Sequence, residues 1–429
     1  MNHLYSNEAK LFHAWNPVGF TMMAKPHGPI CNLNCLHCYY LSKERLFPGS
    51  NFRMSDVLLE EYTRQYIQSQ QVPEVNFVWQ GGEPILMGIE FYQKAVEYQK
   101  KYTRPGMKIL NSFQTNGTLL TAEWAQFFHD NQFLIGISID GPEEIHNFYR
   151  KNKAGEPSFD QVIRGLRLLQ EHEVEFNALT CVSVHNADRG EEVYRYLRDE
   201  LGVKFMQFIP IVERDNGTGY QEGGALSNRS ITPQQYAYFL ISIFNEWIQQ
   251  DVGQVFVQIF DTTLASWVGE RPGLCIFEPT CGLALVLEHN GDVFSCDHFV
   301  EPTYRLGNLN ENSLIDLVSS EQQYQFGMAK RDQLTKYCLA CPWLFACNGG
   351  CPKERIRKSP DGEDGQNYLC RSYQHFFSYV DKPMRVMADL IRRQKAPAEI
   401  MSMMKDRGSE ILMPIPESIR PPKIPRRRH

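Results

Sequence analysis

The chain has 429 residues, 42% hydrophobic and 22% charged, the balance of a globular protein with room for one large domain and a smaller one. A formal charge of −6 gives no electrostatic reason to expect nucleic acid as a partner. No apolar run approaches the roughly 18 residues needed to cross a bilayer, and the opening MNHLYSNEAKLF lacks the basic and apolar regions of a signal peptide, so no membrane association and a cytoplasmic location are expected.

From about residue 20 to 260, short apolar runs alternate with helix-length amphipathic segments. The expected strands are FTMMAK (20–25), EVNFVW (74–79), MKILNSFQT (107–115), FLIGISID (133–140), EFNALTCVSV (175–184) and VKFMQFIPI (203–211). Between them, Ser158 to Gln161 has capping-box spacing before VIRGLRLL, and Thr232-Pro233 to Gln235 adds proline at the first helical position. Six strand–helix units in series predict an α/β fold with a parallel sheet, open or curled into a partial barrel. Chemistry in such sheets belongs at the carboxyl ends of the strands. There the sequence has CNLNC, QGGEP, TNGT and SIDG after the first four strands in turn.

Residues 213–230 (ERDNGTGYQEGGALSNRS) read as an insertion or lid. After about 270 the rhythm changes to loops, turns and cysteines, too irregular for a self-sufficient core and expected to depend on metal. A helix is expected at about 371–395, and the Pro- and Arg-rich end reads as a disordered tail.

Twelve cysteines in a reducing compartment argue for metal binding or redox chemistry rather than disulfides. Cys181 stands apart in an apolar run and reads as a small buried thiol. Cys31, Cys35 and Cys38 follow the first strand, and three thiolates on one tight loop can ligate three irons of a cubane cluster, leaving the fourth iron open. A zinc site would need a fourth ligand, and His37 lies between two of the cysteines with poor freedom to converge. The other eight follow the pattern Cys275-x5-Cys281-x9-Gly291-x4-Cys296, then Cys338-x2-Cys341-x5-Cys347-x3-Cys351, then Cys370. Counting alone suits two [4Fe-4S] clusters or two zinc sites equally.

CNLNCLHC resembles the CxxxCxxC signature of radical S-adenosylmethionine (SAM) enzymes, and Gly81-Gly82-Glu83-Pro84 resembles their GGEP motif. The resemblance implies a partial (β/α)6 TIM-like barrel over residues 1–265. It also implies that the SAM amino and carboxylate groups chelate the open iron. The Gly82 backbone would receive the amino group, Ser138 and Arg150 the carboxylate, with His37 and Val212 lining the adenine. On residue type alone Arg150 reads as a surface arginine. The later cysteines resemble the SPASM extension, implying a domain over 266–375, a helix over 376–395 and the tail over 396–429. That likeness implies one auxiliary cluster on Cys275, Cys281, Cys296 and Cys351 and another on Cys338, Cys341, Cys347 and Cys370, three [4Fe-4S] clusters in all.

MAKPHGPICNLNCLHCYYLSKE, VPEVNFVWQGGEPILMG, SFQTNGTLL, the SIDGP–HNFYR stretch and GDVFSCDHFV together resemble the anaerobic sulfatase-maturating enzymes over about residues 18–385. The family implies oxidation of a cysteine or serine in a C/S-x-P-x-R motif of an unfolded or nascent sulfatase to Cα-formylglycine. A 5′-deoxyadenosyl radical takes a hydrogen from Cβ, a base takes the thiol or hydroxyl proton and one electron leaves, giving a thioaldehyde or an aldehyde; in the thiol case water completes the conversion. A flavodoxin- or ferredoxin-type protein is the expected reductant. Asp297 matches the family's proton acceptor, although by type alone it reads as a solvated loop residue. Gln80 and Tyr40 are expected to line the pocket. The alternative is another SPASM peptide maturase, forming thioether or carbon–carbon crosslinks; such enzymes often carry a peptide-recognition domain before the barrel, for which the roughly 19 preceding residues leave no room.

Overall fold

The computed structural model describes residues 17–420. Its six principal strands are β1 Thr21–Lys25, β2 Glu74–Trp79, β3 Lys108–Thr115, β4 Phe133–Ser138, β5 Phe176–Val182 and β6 Phe205–Pro210. All pair in parallel, in chain order, with helices in the connections. Together they form the partial (β/α)6 barrel of an α/β fold. The two-residue β7, Phe256–Val257, extends the sheet beyond β6. The strands alternate buried and less buried positions because helices cover one face. On that side Tyr62 and Tyr66, from the helix Asp56–Ser69, pack on Phe77 and Trp79 of β2 in edge-on and stacked pairs.

The sheet continues past residue 265. β8, Ala284–Glu288, pairs in parallel with the other edge of β1, and β9, Asp292–Phe294, returns antiparallel to it. β10, Arg305–Asn308, completes the order β10-β9-β8-β1-β2-β3-β4-β5-β6-β7. The cysteine-rich region was expected to be loops and turns; its apolar ALVLE run instead finds hydrogen-bonding partners along β1. The β8–β9 turn has Gly291 at φ +93, a left-handed conformation that suits glycine.

Helix starts follow local chemistry unevenly. Thr232 and Gln235 form a reciprocal capping box, with Pro233 opening the helix Pro233–Gln250. The same arrangement expected at Ser158 is absent. Its hydroxyl donates to the Arg150 carbonyl (2.8 Å), so the helix Phe159–Glu171 starts without a side-chain cap.

The long helix Cys370–Arg392 packs against Pro233–Gln250 and Gln258–Val268. The disordered tail expected from residue 396 is corrected over 397–419, which hold a helix, Ile400–Ile411, between two short 3-10 turns. Ile400, Ile411 and Ile419 are buried, and Tyr379 donates to the Asn245 side chain (2.9 Å) beneath the returning segment. Apolar side chains scattered through the proline-rich stretch supply anchors that composition conceals. Residues 421–429, with the basic run, lie outside the described residues. No helix among the described residues is long and apolar enough to cross a membrane.

Candidate active site and metal centres

Cys31, Cys35 and Cys38 lie on the loop after β1, clamped from both sides. Gly82 N–H donates to the Gly28 carbonyl (2.7 Å) and Glu83 N–H to that of Ile30 (2.8 Å). On the other flank, the Leu36 and Asn34 amides bond the carbonyls of Tyr149 (3.1 Å) and Lys151 (2.8 Å). The Glu83 carboxylate ties in a third loop, accepting from the Thr115 hydroxyl (2.9 Å) and the Asn116 amide (2.8 Å). Asn116 in turn reaches Asn32 Oδ1 (2.8 Å) and Cys31 Sγ (3.6 Å). Burial pushes the Glu83 carboxyl up to about 7 against these three-loop bonds.

The glycine pair is required by this close approach. A Cβ on Gly82 would lie 2.1 Å from the Ile30 carbonyl oxygen, and Gly81 has φ +144. Gly82→Ala is therefore expected to cost more than about 2 kcal/mol of stability and to lower iron retention at the first cysteine loop. Chemical denaturation and iron analysis check both.

Burial pushes the Cys31 thiol up to about 12 and that of Cys35 to about 11. Buried sulfurs of this kind ionise only against added positive charge, which an iron–sulfur cluster supplies. Among the described residues, no three His, Cys, Asp or Glu side chains converge as a single-ion site requires.

Arg150, far from being a surface residue, is 7% exposed. Its guanidinium grips Asp140 through Nε (2.7 Å) and Nη2 (3.1 Å). Burial opposes charge on Asp140, but Arg150 overrides it and holds the carboxyl below its usual range. The fork is thereby fixed next to Cys35, suitably oriented for a carboxylate ligand. Ser138, at the end of β4, has a different partner, Gln114 Nε2 (3.2 Å). Val212 is buried just beyond β6. His37 is buried with its ring edge-on to Tyr149, and its Nδ1 has no protein partner. Such an orphaned buried nitrogen fits a polar ligand. Cys181 does not stand apart as its apolar run implied: its sulfur lies 3.5 Å from Arg150 Nη2, in the electrostatic range of Cys35 and Cys38.

The eight later cysteines sort into two groups. Cys296 senses Cys351 and Cys275, while Cys281 senses Cys275 and Cys351 senses Cys281. Cys347 senses Cys370, Cys338 and Cys341. The second four line one small cavity, walled by apolar and aromatic side chains including Trp343, Tyr373 and Phe377. Four sulfurs around an apolar enclosure fit a fully ligated cubane.

Asp297 joins these regions. It follows Cys296, and its carboxylate accepts from the hydroxyl of Tyr39, the residue after Cys38, while ion-pairing with Lys25 at the end of β1. Burial would raise its carboxyl, but Lys25, the nearby His298 and the Tyr39 hydroxyl prevail and hold it low, ready to accept a proton. Lys25 is itself held by Gln80 Oε1 (3.0 Å) and lies 3.9 Å over the Tyr40 ring. Tyr40 donates to Glu288. The structure thus brings Gln80, Tyr40 and Asp297 around one ammonium. Sequence reading missed Lys25, Tyr39 and Glu288. A lysine closing the apolar run FTMMAK was the one available signal.

Residues 25–197 match the family model of the Radical SAM superfamily, and residues 277–342 that of the SPASM iron-sulfur cluster-binding domain. The chain is 47% identical to the serine-type anaerobic sulfatase-maturating enzyme of Bacteroides thetaiotaomicron, across 91% of this chain and 96% of that protein. It is 35% identical to the cysteine-type enzyme of Clostridium perfringens strain 13, across 84% of this chain and 96% of the relative. Among solved structures, it is similar to native anSMEcpe with bound AdoMet and Cp18Cys peptide, with TM-score 0.78 and 33% identity over 86% of this chain and 99% of that one.

Proposed function

Because the chain belongs to the anaerobic sulfatase-maturating enzymes, we propose that it oxidises a cysteine or serine in the C/S-x-P-x-R motif of a sulfatase to Cα-formylglycine. In this reading Cys31, Cys35 and Cys38 hold a [4Fe-4S] cluster, and the two groups of four hold the auxiliary clusters. The SAM ligands are the Gly82 backbone, Ser138 and Arg150, with His37 and Val212 against the adenine. The bound cluster and SAM supply the hydrogen-abstracting chemistry at the substrate Cβ.

The chain's own part is acid–base and positional. Asp297 accepts the thiol or hydroxyl proton of the target residue. Tyr39 and Lys25 keep it ionised until then. Once Asp297 is neutral, the Lys25 charge retains Gln80 Oε1 and the Tyr40 ring face as partners. The observation that carries this reading is the position of Asp297, bonded to the residue after Cys38 and adjacent in sequence to Cys296. A base there adjoins both the first cysteine loop and the first auxiliary group, whose cluster would supply the acceptor for the electron.

The substrate is the unfolded or nascent sulfatase chain, met in the cytoplasm, and the electron donor is a flavodoxin- or ferredoxin-type protein. A chain in which eleven of the twelve cysteines must remain reduced until they bind iron supports that compartment. The test is anaerobic reconstitution with iron and sulfide, followed by SAM, a reductant and peptides carrying C-x-P-x-R or S-x-P-x-R. Mass spectrometry is expected to find the aldehyde in at least one peptide. SAM cleavage with no aldehyde in either peptide would overturn the reading in favour of a crosslinking maturase.

A further inference from the structure

Several cationic side chains approach the auxiliary cysteines: Lys353 lies near Cys275 and Cys351, Arg371 near Cys370, and Lys330 and Arg355 are held by backbone carbonyls beside the cysteines. Lys330, on the helix Glu321–Asp332, is buried, and its ammonium donates to the carbonyls of Cys275 (2.7 Å) and Ile276 (3.0 Å). Cys281, Cys351 and Cys275, all of the first group, lie in its electrostatic range. Arg355 is different. Its backbone follows Cys351, a member of the first group, with its amide bonded to the Pro352 carbonyl (3.0 Å). Its guanidinium crosses to the turn after Cys347, a member of the second. There Nε donates to the Gly349 carbonyl (3.3 Å) and Nη2 to that of Asn348 (3.4 Å). Gly349 has φ +74, and a Cβ on it would lie 2.6 Å from Arg355 Nη2, so the turn is shaped to admit the guanidinium. Two sulfurs of each group, Cys281 and Cys351 with Cys338 and Cys347, lie in its electrostatic range.

We propose that Arg355 is a positioning residue for electron transfer, a fixed cation between the two auxiliary sites that raises the reduction potential of both. The inference rests on the two-cluster reading given above. A cubane with four thiolates gains one negative charge on reduction, and a nearby cation stabilises that reduced form. The need is greatest in the second site, whose aromatic and apolar wall provides little solvation for added charge. Held by these cysteines, the clusters would supply the acceptor for the one electron lost by the substrate radical, with Cys296 of the first group adjoining Asp297 and an oxidised carrier of the flavodoxin or ferredoxin class as the final acceptor.

The test is an anaerobic redox titration of the iron-loaded enzyme, followed by electron paramagnetic resonance, with Arg355→Gln, Arg355→Lys and Lys330→Met. Arg355→Gln is expected to move both auxiliary midpoint potentials to more negative values and leave that of the Cys31 cluster in place. Arg355→Lys keeps the charge but lacks the reach of the fork, and should give smaller shifts of the same sign. Lys330→Met should move the first auxiliary site alone. Unchanged auxiliary potentials in Arg355→Gln, or an equal shift of all three clusters, would overturn the proposal. If Arg355→Gln does not load, Arg355→Lys decides: no shift at either auxiliary site overturns it. Wild-type protein that binds iron at only one site would instead remove the two-cluster reading itself.

Discussion

Asp297→Asn is expected to lower formylglycine formation by about 10²- to 10⁴-fold, the usual contribution of a general base, while SAM cleavage and iron content stay near those of the parent enzyme. The amide is nearly isosteric and can still accept from the Tyr39 hydroxyl, so the loop after Cys38 keeps its anchor. What disappears is the negative charge opposite Lys25 and the capacity to take a proton. The readout is the ratio of aldehyde to 5′-deoxyadenosine in the same reaction. A ratio equal to wild type would remove Asp297 as the base. A fall in both products together would assign it a structural role.

The second large effect is at the other end of the same network. Cys35→Ala leaves two thiolates on the first loop, too few for a stable cubane, and SAM cleavage should fall below detection. Iron should drop from about twelve to about eight atoms per chain, because four-iron clusters are gained or lost as units. The remaining iron belongs to sites whose sulfurs lie on other segments: the helix Cys370–Arg392, the turn around Cys347 and the stretch after β9. Loss of all iron would mean that the three sites assemble as one unit. Retained SAM cleavage would show that Cys35 is not a ligand.

These two variants mark the limits of sequence reading. The Cys31 loop was legible because its chemistry is local: three thiols within eight residues, directly after a strand, need no distant partner to be recognised. Gly82 was legible in the same way, as a turn beside a strand end. The alternating pattern also located the six parallel strands to within a few residues, because burial on a sheet repeats every second position.

Local rules failed where a competing partner was remote. Ser158 has the spacing of a helix cap, yet its hydroxyl goes to the Arg150 carbonyl, made available by the fold of the preceding helix. Residues 397–419 have the composition of a tail, yet a few isoleucines find a groove along the helix Pro233–Gln250. β8 and β9 were readable in principle, since ALVLE followed by Asn290-Gly291 is a strand running into a hairpin turn. The cysteines around them drew the reading towards loops.

By itself, the sequence determined the α/β rhythm, the two cysteine-bearing regions and the polar motifs at the strand ends. The tertiary structure decided what those regions do to one another. β8 pairs with β1 in a register that sets Glu288 beside Lys25, and the chain then turns so that Asp297 meets that lysine and Tyr39. Arg355 likewise acquires its place only when the turn after Cys347 folds against the turn after Cys351. The physical reason is common to both. A charge buried between distant segments is stable only with its partners assembled around it, and it is the packing of the sheet, rather than the spacing of residues along the chain, that assembles them.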